Sequence, residues 1–265
     1  MQPFHNSSAS VAHHTWETNA LVDWCEDNFA VVAFIAEFVN TLSNFWYLVF
    51  SAFGMYNAIR YRYEKRFFYS YFMLFVVGIG SALFHGTLTY YMQLLDEVPM
   101  LFGSAIFIYC CYSPSLPRPP RWLVAVLTIY PTVATSWYFY HRVAEFFQNA
   151  YVVEVVAITV LNTVNRKYFT QAKRVEQLPR AASAGQGRFV DAIPSSDADP
   201  LFFVSLVAYL SASAFWVADN LLCYSHLLPL KEAVGYPLRF LLEFHGWWHL
   251  LSGLGMCPFL LTFWR

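Results

Sequence analysis

The sequence predicts an all-α fold, a bundle of seven transmembrane helices. Three observations predict it. Of the 265 residues, 58% are hydrophobic and only 12% charged, where a soluble domain carries about 25% charged residues. Seven apolar stretches each approach or exceed the ~20 residues that cross a bilayer as a helix. None of them alternates apolar and polar residues, as a membrane β-barrel would.

Residues 1–30 are polar and mixed, with neither the basic start nor the apolar run of a cleavable signal. A helix further in is therefore expected to direct insertion. The spans expected within 31–265 are residues 33–59, 67–88, 92–112, 122–140, 143–164, 201–224 and 236–263. Asp96 and Glu97 interrupt the third and Glu154 the fifth. The long connector 165–200, rich in Ala, Ser, Gly, Asp and basic residues, reads as a flexible loop.

Basic residues set the orientation. With seven spans, Arg60, Arg62, Lys65, Arg66, Arg118, Arg121, the six basic residues of 166–188 and Arg265 share one side. Arg142, Lys231 and Arg239 fall on the other. That asymmetry predicts a luminal or extracellular N-terminus and a cytosolic C-terminus. Net charge is −1, and no P-loop, dinucleotide fingerprint or basic-aromatic surface is present. A nucleic-acid partner is not expected.

Ionisable groups inside apolar spans are costly and usually functional. His245 and His249, four residues apart, share one helix face. The second span runs toward the lumen and ends near His85, whereas the seventh starts there. Topology thus brings all three imidazoles to one depth, where they would hold zinc and leave its fourth position open. The plainer reading of each histidine is an interfacial or hydrogen-bonded side chain. Ser81 lies one turn before His85 and could donate to an oxyanion, although membrane serines usually bond back to the preceding turn. Asp96 is read as opening the third helix, either as a carboxylate favoured there by the helix dipole or as a proton acceptor. Glu97, turned about 100° away, is the second choice.

Asp23, Glu26 and Asn28, with Glu37 further on, offer the hard oxygen ligands that suit calcium. Asp23-x-x-Glu26 also fits a capping-box variant. Cys25 and Cys223 both fall on the luminal side, where a disulfide is permitted; spacing alone does not establish one. Cys110 and Cys111 fall on the cytosolic side.

Several ordered stretches carry a resemblance: Asp23-Trp24-Cys25-Glu26-Asp27-Asn28, Ile35-Ala36-Glu37-Phe38, Ser81 to His85, Gln93-Leu94-Leu95-Asp96-Glu97, Trp216 to Asn220, and His245-Gly246-Trp247-Trp248-His249. Together they resemble the alkaline ceramidases, integral-membrane amidases of the seven-helix hydrolase superfamily that also includes the adiponectin receptors. Residues 241–249 look closest to fungal members. The resemblance implies hydrolysis of ceramide to a sphingoid base and a fatty acid. It implies zinc on His85, His245 and His249, with Ser81 and Asp96 completing the active site. It also implies calcium on Asp23, Glu26, Asn28 and Glu37, with the Trp24 carbonyl, and a Cys25–Cys223 disulfide. Tyr151 and Trp248 would line the substrate cavity. The expected location is the endoplasmic reticulum membrane, with the Golgi as alternative. The rival function is a receptor of the adiponectin-receptor type sharing the zinc site; the short N-terminus, expected in the lumen, speaks against it. A transporter would need polar groups through both leaflets, and here they gather at one side.

Overall fold

The computed structural model describes residues 17–112, 120–176 and 195–262, which contain helices and turns and no strand. Nine α-helices are described: α1 (Phe38–Ser43), α2 (Phe45–Arg60), α3 (Lys65–Thr87), α4 (Tyr90–Tyr112), α5 (Arg121–His141), α6 (Ala144–Glu176), α7 (Ser195–Leu222), α8 (Leu228–Val234) and α9 (Phe244–Thr262). A π-turn joins α7 to α8, and a 3₁₀ segment at Leu238–Leu242 precedes α9. Helix α9 packs mainly on α7, and α3 on α4 and α2.

Five stretches are long and apolar enough to cross a membrane: α3, α4, α5, Ala144–Leu161 of α6, and Phe202–Val234 through α7 and α8. This is a multi-pass arrangement. The first and seventh expected spans correspond to α1–α2 and to α9, which lie outside that set. Glu154 does not break α6; it is buried within that helix.

Four boundaries differ from expectation, each for a local reason. Residues 33–37 are not helical, because the Ala36 and Glu37 N–H groups donate to Gly86 O (3.0 Å) and His85 O (2.9 Å) at the end of α3. Those carbonyls have no partner within their own helix, so this segment completes α3. A break at Asn44 separates α1 from α2, where the Asn44 side-chain amide donates to Asn40 O at 2.8 Å. The seventh element starts late, since Gly235 (φ 66) ends α8 and Pro237 follows. Finally, α6 continues to Glu176 and α7 begins at Ser195, so helix occupies both ends of the expected 165–200 connector. Residues 165–176 contain neither Gly nor Pro, which favours that extension; residues 177–194 lie outside the described residues.

One face of α1–α2 is buried at Asn40, Asn44, Tyr47, Ser51, Gly54 and Ala58, following Glu37. The alternating spacing of three and four marks a single inward stripe. It is polar near Glu37 and small or apolar toward Ala58. At the Glu37 end the N-terminal segment is stitched to the α3–α4 turn. Asn19 and Ala20 donate to Leu88 O, Tyr90 N–H donates to Asn19 Oδ1 (2.8 Å), and Leu21 N–H donates to Gln93 Oε1 (2.6 Å).

Candidate metal centre

His85 sits in the last turn of α3, and His245 and His249 in the first turns of α9. All three are buried, and one ring nitrogen from each lies within 4.8 Å of the others. The ring centroids are 4.6–4.9 Å apart. His85 Nε2 and His245 Nδ1 are enclosed and have no hydrogen-bond partner. A buried unpaired nitrogen is costly, and a bound ligand would relieve that cost. Three imidazole nitrogens fit zinc.

Each ring is fixed from outside. Glu37 holds His85 twice, through its main-chain N–H on His85 O and through Oε2 on His85 Nδ1 at 2.5 Å. Trp24 stacks on His245 at 3.7 Å. Ser43 Oγ lies 2.7 Å from His249 Nδ1.

Ser81 and Asp96 come together across α3 and α4, the hydroxyl bonding to the carboxyl, and both are buried. The close approach is built by two residues. Pro99 has no N–H for the Leu95 carbonyl one turn back, and a Cβ on Gly80 would fall onto that carbonyl. Asp96 is the seventh residue of α4 and not its first, since the Asn19 side chain and Leu88 carbonyl organise the turn that starts the helix at Tyr90. The helix-opening reading is thereby corrected. Glu97 points elsewhere: it accepts from Tyr138 Oη (2.5 Å) and Gln93 Nε2 (3.1 Å), tying α4 to α5. Tyr47 links the pieces; its ring is 5.6 Å from that of His249, and it lies close enough to Asp96 to feel its charge.

The acidic cluster adjoins the histidines. Asn28 Nδ2 donates to both Asp23 oxygens (3.0 and 3.2 Å), leaving Asn28 Oδ1 buried without a partner. The Asp23 carboxyl meets that of Glu37, and Trp24 N–H donates to Glu37 Oε1 at 3.0 Å. Glu26 turns toward the start of α1, accepting from Val39 N–H (2.6 Å) and Asn40 N–H (2.8 Å). It caps that helix from a distance. Burial, then the charges of Glu243 and Glu37, push the Glu26 carboxyl up to about 8. The gathered oxygens are of the hard kind that calcium takes.

Cys25 and Cys223 are joined, with Cα atoms 5.5 Å apart. Several neighbours of this bond escaped the sequence reading. Lys231, fully buried, donates to Cys25 O (2.8 Å) and Glu243 Oε2 (2.5 Å). Asp219 accepts from Cys25 N–H at 3.2 Å and from the His245 main chain. Arg239 pairs with Asp27. Lys231 stands beside Glu232 in the sequence, and no local pattern there signals these distant partners.

Tyr151 lines a cavity of about 70 Å³ between α4, α6, α7 and α9, and its hydroxyl is 3.2 Å from that of Tyr209. Trp248 lies beyond the lining residues, with its ring 5.9 Å from that of Tyr209.

A family model described as Ceramidase matches residues 16–264. Alkaline ceramidase 3 of Mus musculus is 34% identical over 240 residues, covering 90% of this chain and 80% of its own length. Alkaline ceramidase YPC1 of Saccharomyces cerevisiae is 28% identical over 256 residues, covering 91% and 74%. Alkaline ceramidase 1 of Homo sapiens is 31% identical over 208 residues, covering 76% and 69%.

Proposed function

The chain belongs to the ceramidase family, and on that premise we propose that it is a zinc-dependent membrane amidase cleaving ceramide to a sphingoid base and a free fatty acid. The observation that carries the reading is the convergence of three buried imidazoles, two with unpaired nitrogens, beside the bonded Ser81–Asp96 pair. His85, His245 and His249 would hold the ion. When bound, zinc would polarise the acyl carbonyl and acidify water. Asp96 accepts the proton of the attacking water and returns it to the departing amine nitrogen as the C–N bond breaks. The Ser81 hydroxyl, already beside Asp96, turns to the oxyanion that forms on the carbonyl carbon. The cavity beside Tyr151 accommodates part of an alkyl chain, with Trp248 near its wall.

In this reading α1–α2 and α9 complete seven spans, with the histidine end in the lumen and the basic loops in the cytosol. The membrane of residence in this reading is the endoplasmic reticulum, with the Golgi as alternative. Asp23, Asn28 and Glu37, with Glu26 and the Trp24 carbonyl, would bind calcium and order the N-terminal segment against His85 and His245. The matched relatives are named as ceramidases, which speaks against the receptor reading.

The test is purified protein with a defined ceramide, read as sphingoid base released by mass spectrometry. Hydrolysis should stop with a zinc chelator, return with zinc, and be absent from His85→Ala. Undiminished turnover by His85→Ala would refute the reading.

A further inference from the structure

Two ring nitrogens of the triad face outward onto α1. His85 Nδ1 meets the Glu37 carboxylate, while His249 Nδ1 meets the Ser43 hydroxyl at 2.7 Å. The proton positions follow from the partners. Ser43 Oγ also lies 3.0 Å from Asn40 O, to which it donates. Its single proton is thereby used, so toward His249 it accepts. The Asn40 carbonyl is itself within reach of the His249 ring, and a carbonyl only accepts. With the Ser43 proton on Asn40 O, His249 carries its own proton on Nδ1 and presents a bare Nε2. The packing makes the contact possible: Gly246, one turn before His249, faces Val39 and Ser43, and a Cβ there would come within 3.2 Å of Val39 Cγ1 and 3.6 Å of Ser43 Oγ.

We propose that Ser43 is a positioning residue of the metal centre, setting the tautomer and rotation of His249. This rests on the zinc reading above. A metal-bound imidazole typically depends on the acceptor at its other nitrogen for orientation and basicity, and losing that acceptor costs about 10–100-fold in metal affinity. Asn40 supplies a second acceptor, but only Ser43 is a side chain that can be removed without altering the backbone.

The experiment compares wild type, Ser43→Ala and Ser43→Thr, each purified with metal. Zinc content is followed against rising chelator, and the visible spectrum is recorded after cobalt replacement. Ser43→Ala should lose zinc at about 10–100-fold lower chelator strength and shift the cobalt bands, while the metal-free proteins melt alike. Ser43→Thr, which keeps the hydroxyl, should restore both readouts. If Ser43→Ala does not fold, Ser43→Val against Ser43→Thr makes the same comparison at constant shape. Equal zinc retention and unchanged cobalt bands without the hydroxyl would overturn the proposal. A wild-type protein that binds no zinc, or a His249→Ala variant that binds it as tightly, would remove the metal centre itself and the proposal with it.

Discussion

At one end of the bundle, Phe67, Tyr71, Phe107, Cys110 and Cys111 form an apolar cluster, joined by Met55, Ile158 and Met256. At the other end, Glu37, Asp219, Lys231, Glu243 and three histidines are just as deeply buried. The first end is held by contact area, which tolerates many combinations of similar volume. The second is held by directional bonds, each with a named partner, where an unpaired group is costly. The difference separates two kinds of failure: damage at the apolar end should loosen the protein, whereas damage at the histidine end should silence it.

Asp96→Asn should give the largest separation. It keeps the shape of the side chain and the three histidines, so zinc content and melting should hold. Turnover should fall about 10²–10⁴-fold. Loss of metal in that variant would make Asp96 a support for the centre and blur the contrast. Phe67→Ala, in the apolar cluster and away from the Tyr151 cavity, tests the opposite end. It should cost about 3–5 kcal/mol of stability, read by thermal unfolding in detergent, with zinc per folded molecule unchanged. A Phe67→Ala protein that stayed stable yet lost zinc would show that the two ends are not separable. The smallest effect is expected from Cys25→Ser with Cys223→Ser. Loss of this long-range link should cost about 2–4 kcal/mol. It should also ease zinc extraction, since Cys25 adjoins Trp24 on the His245 ring. Zinc extraction as slow as in wild type would confine the bond to a purely stabilising role.

The residues that meet at the centre were legible in the sequence because charge and imidazole stand out against apolar spans. His245 and His249 declared themselves by spacing, and His85 by its depth. Asp96 was picked out, but its place in the helix was misjudged, because the cap at Tyr90 comes from Asn19, some 71 residues away. The inward stripe from Asn40 to Ala58 was readable as alternating steps of three and four, yet a hydrophobic count over the span hides it. Lys231 read as an ordinary luminal charge, since nothing local announces that Glu243 and the Cys25 carbonyl will enclose it. What escaped is what depends on partners distant in the chain: the break at Asn44, the late start of α9, and the carbonyls of α3 completed by residues 36 and 37.

The distances along the chain between the imidazoles carry one more consequence. His85 is synthesised first of the three, and its companions arrive only with α9, 160 and 164 residues later. A partly translated polypeptide therefore has no complete coordination set. Any chemistry that needs all three imidazoles is withheld until α9 has been made, so copies that stop short of it are inert by construction.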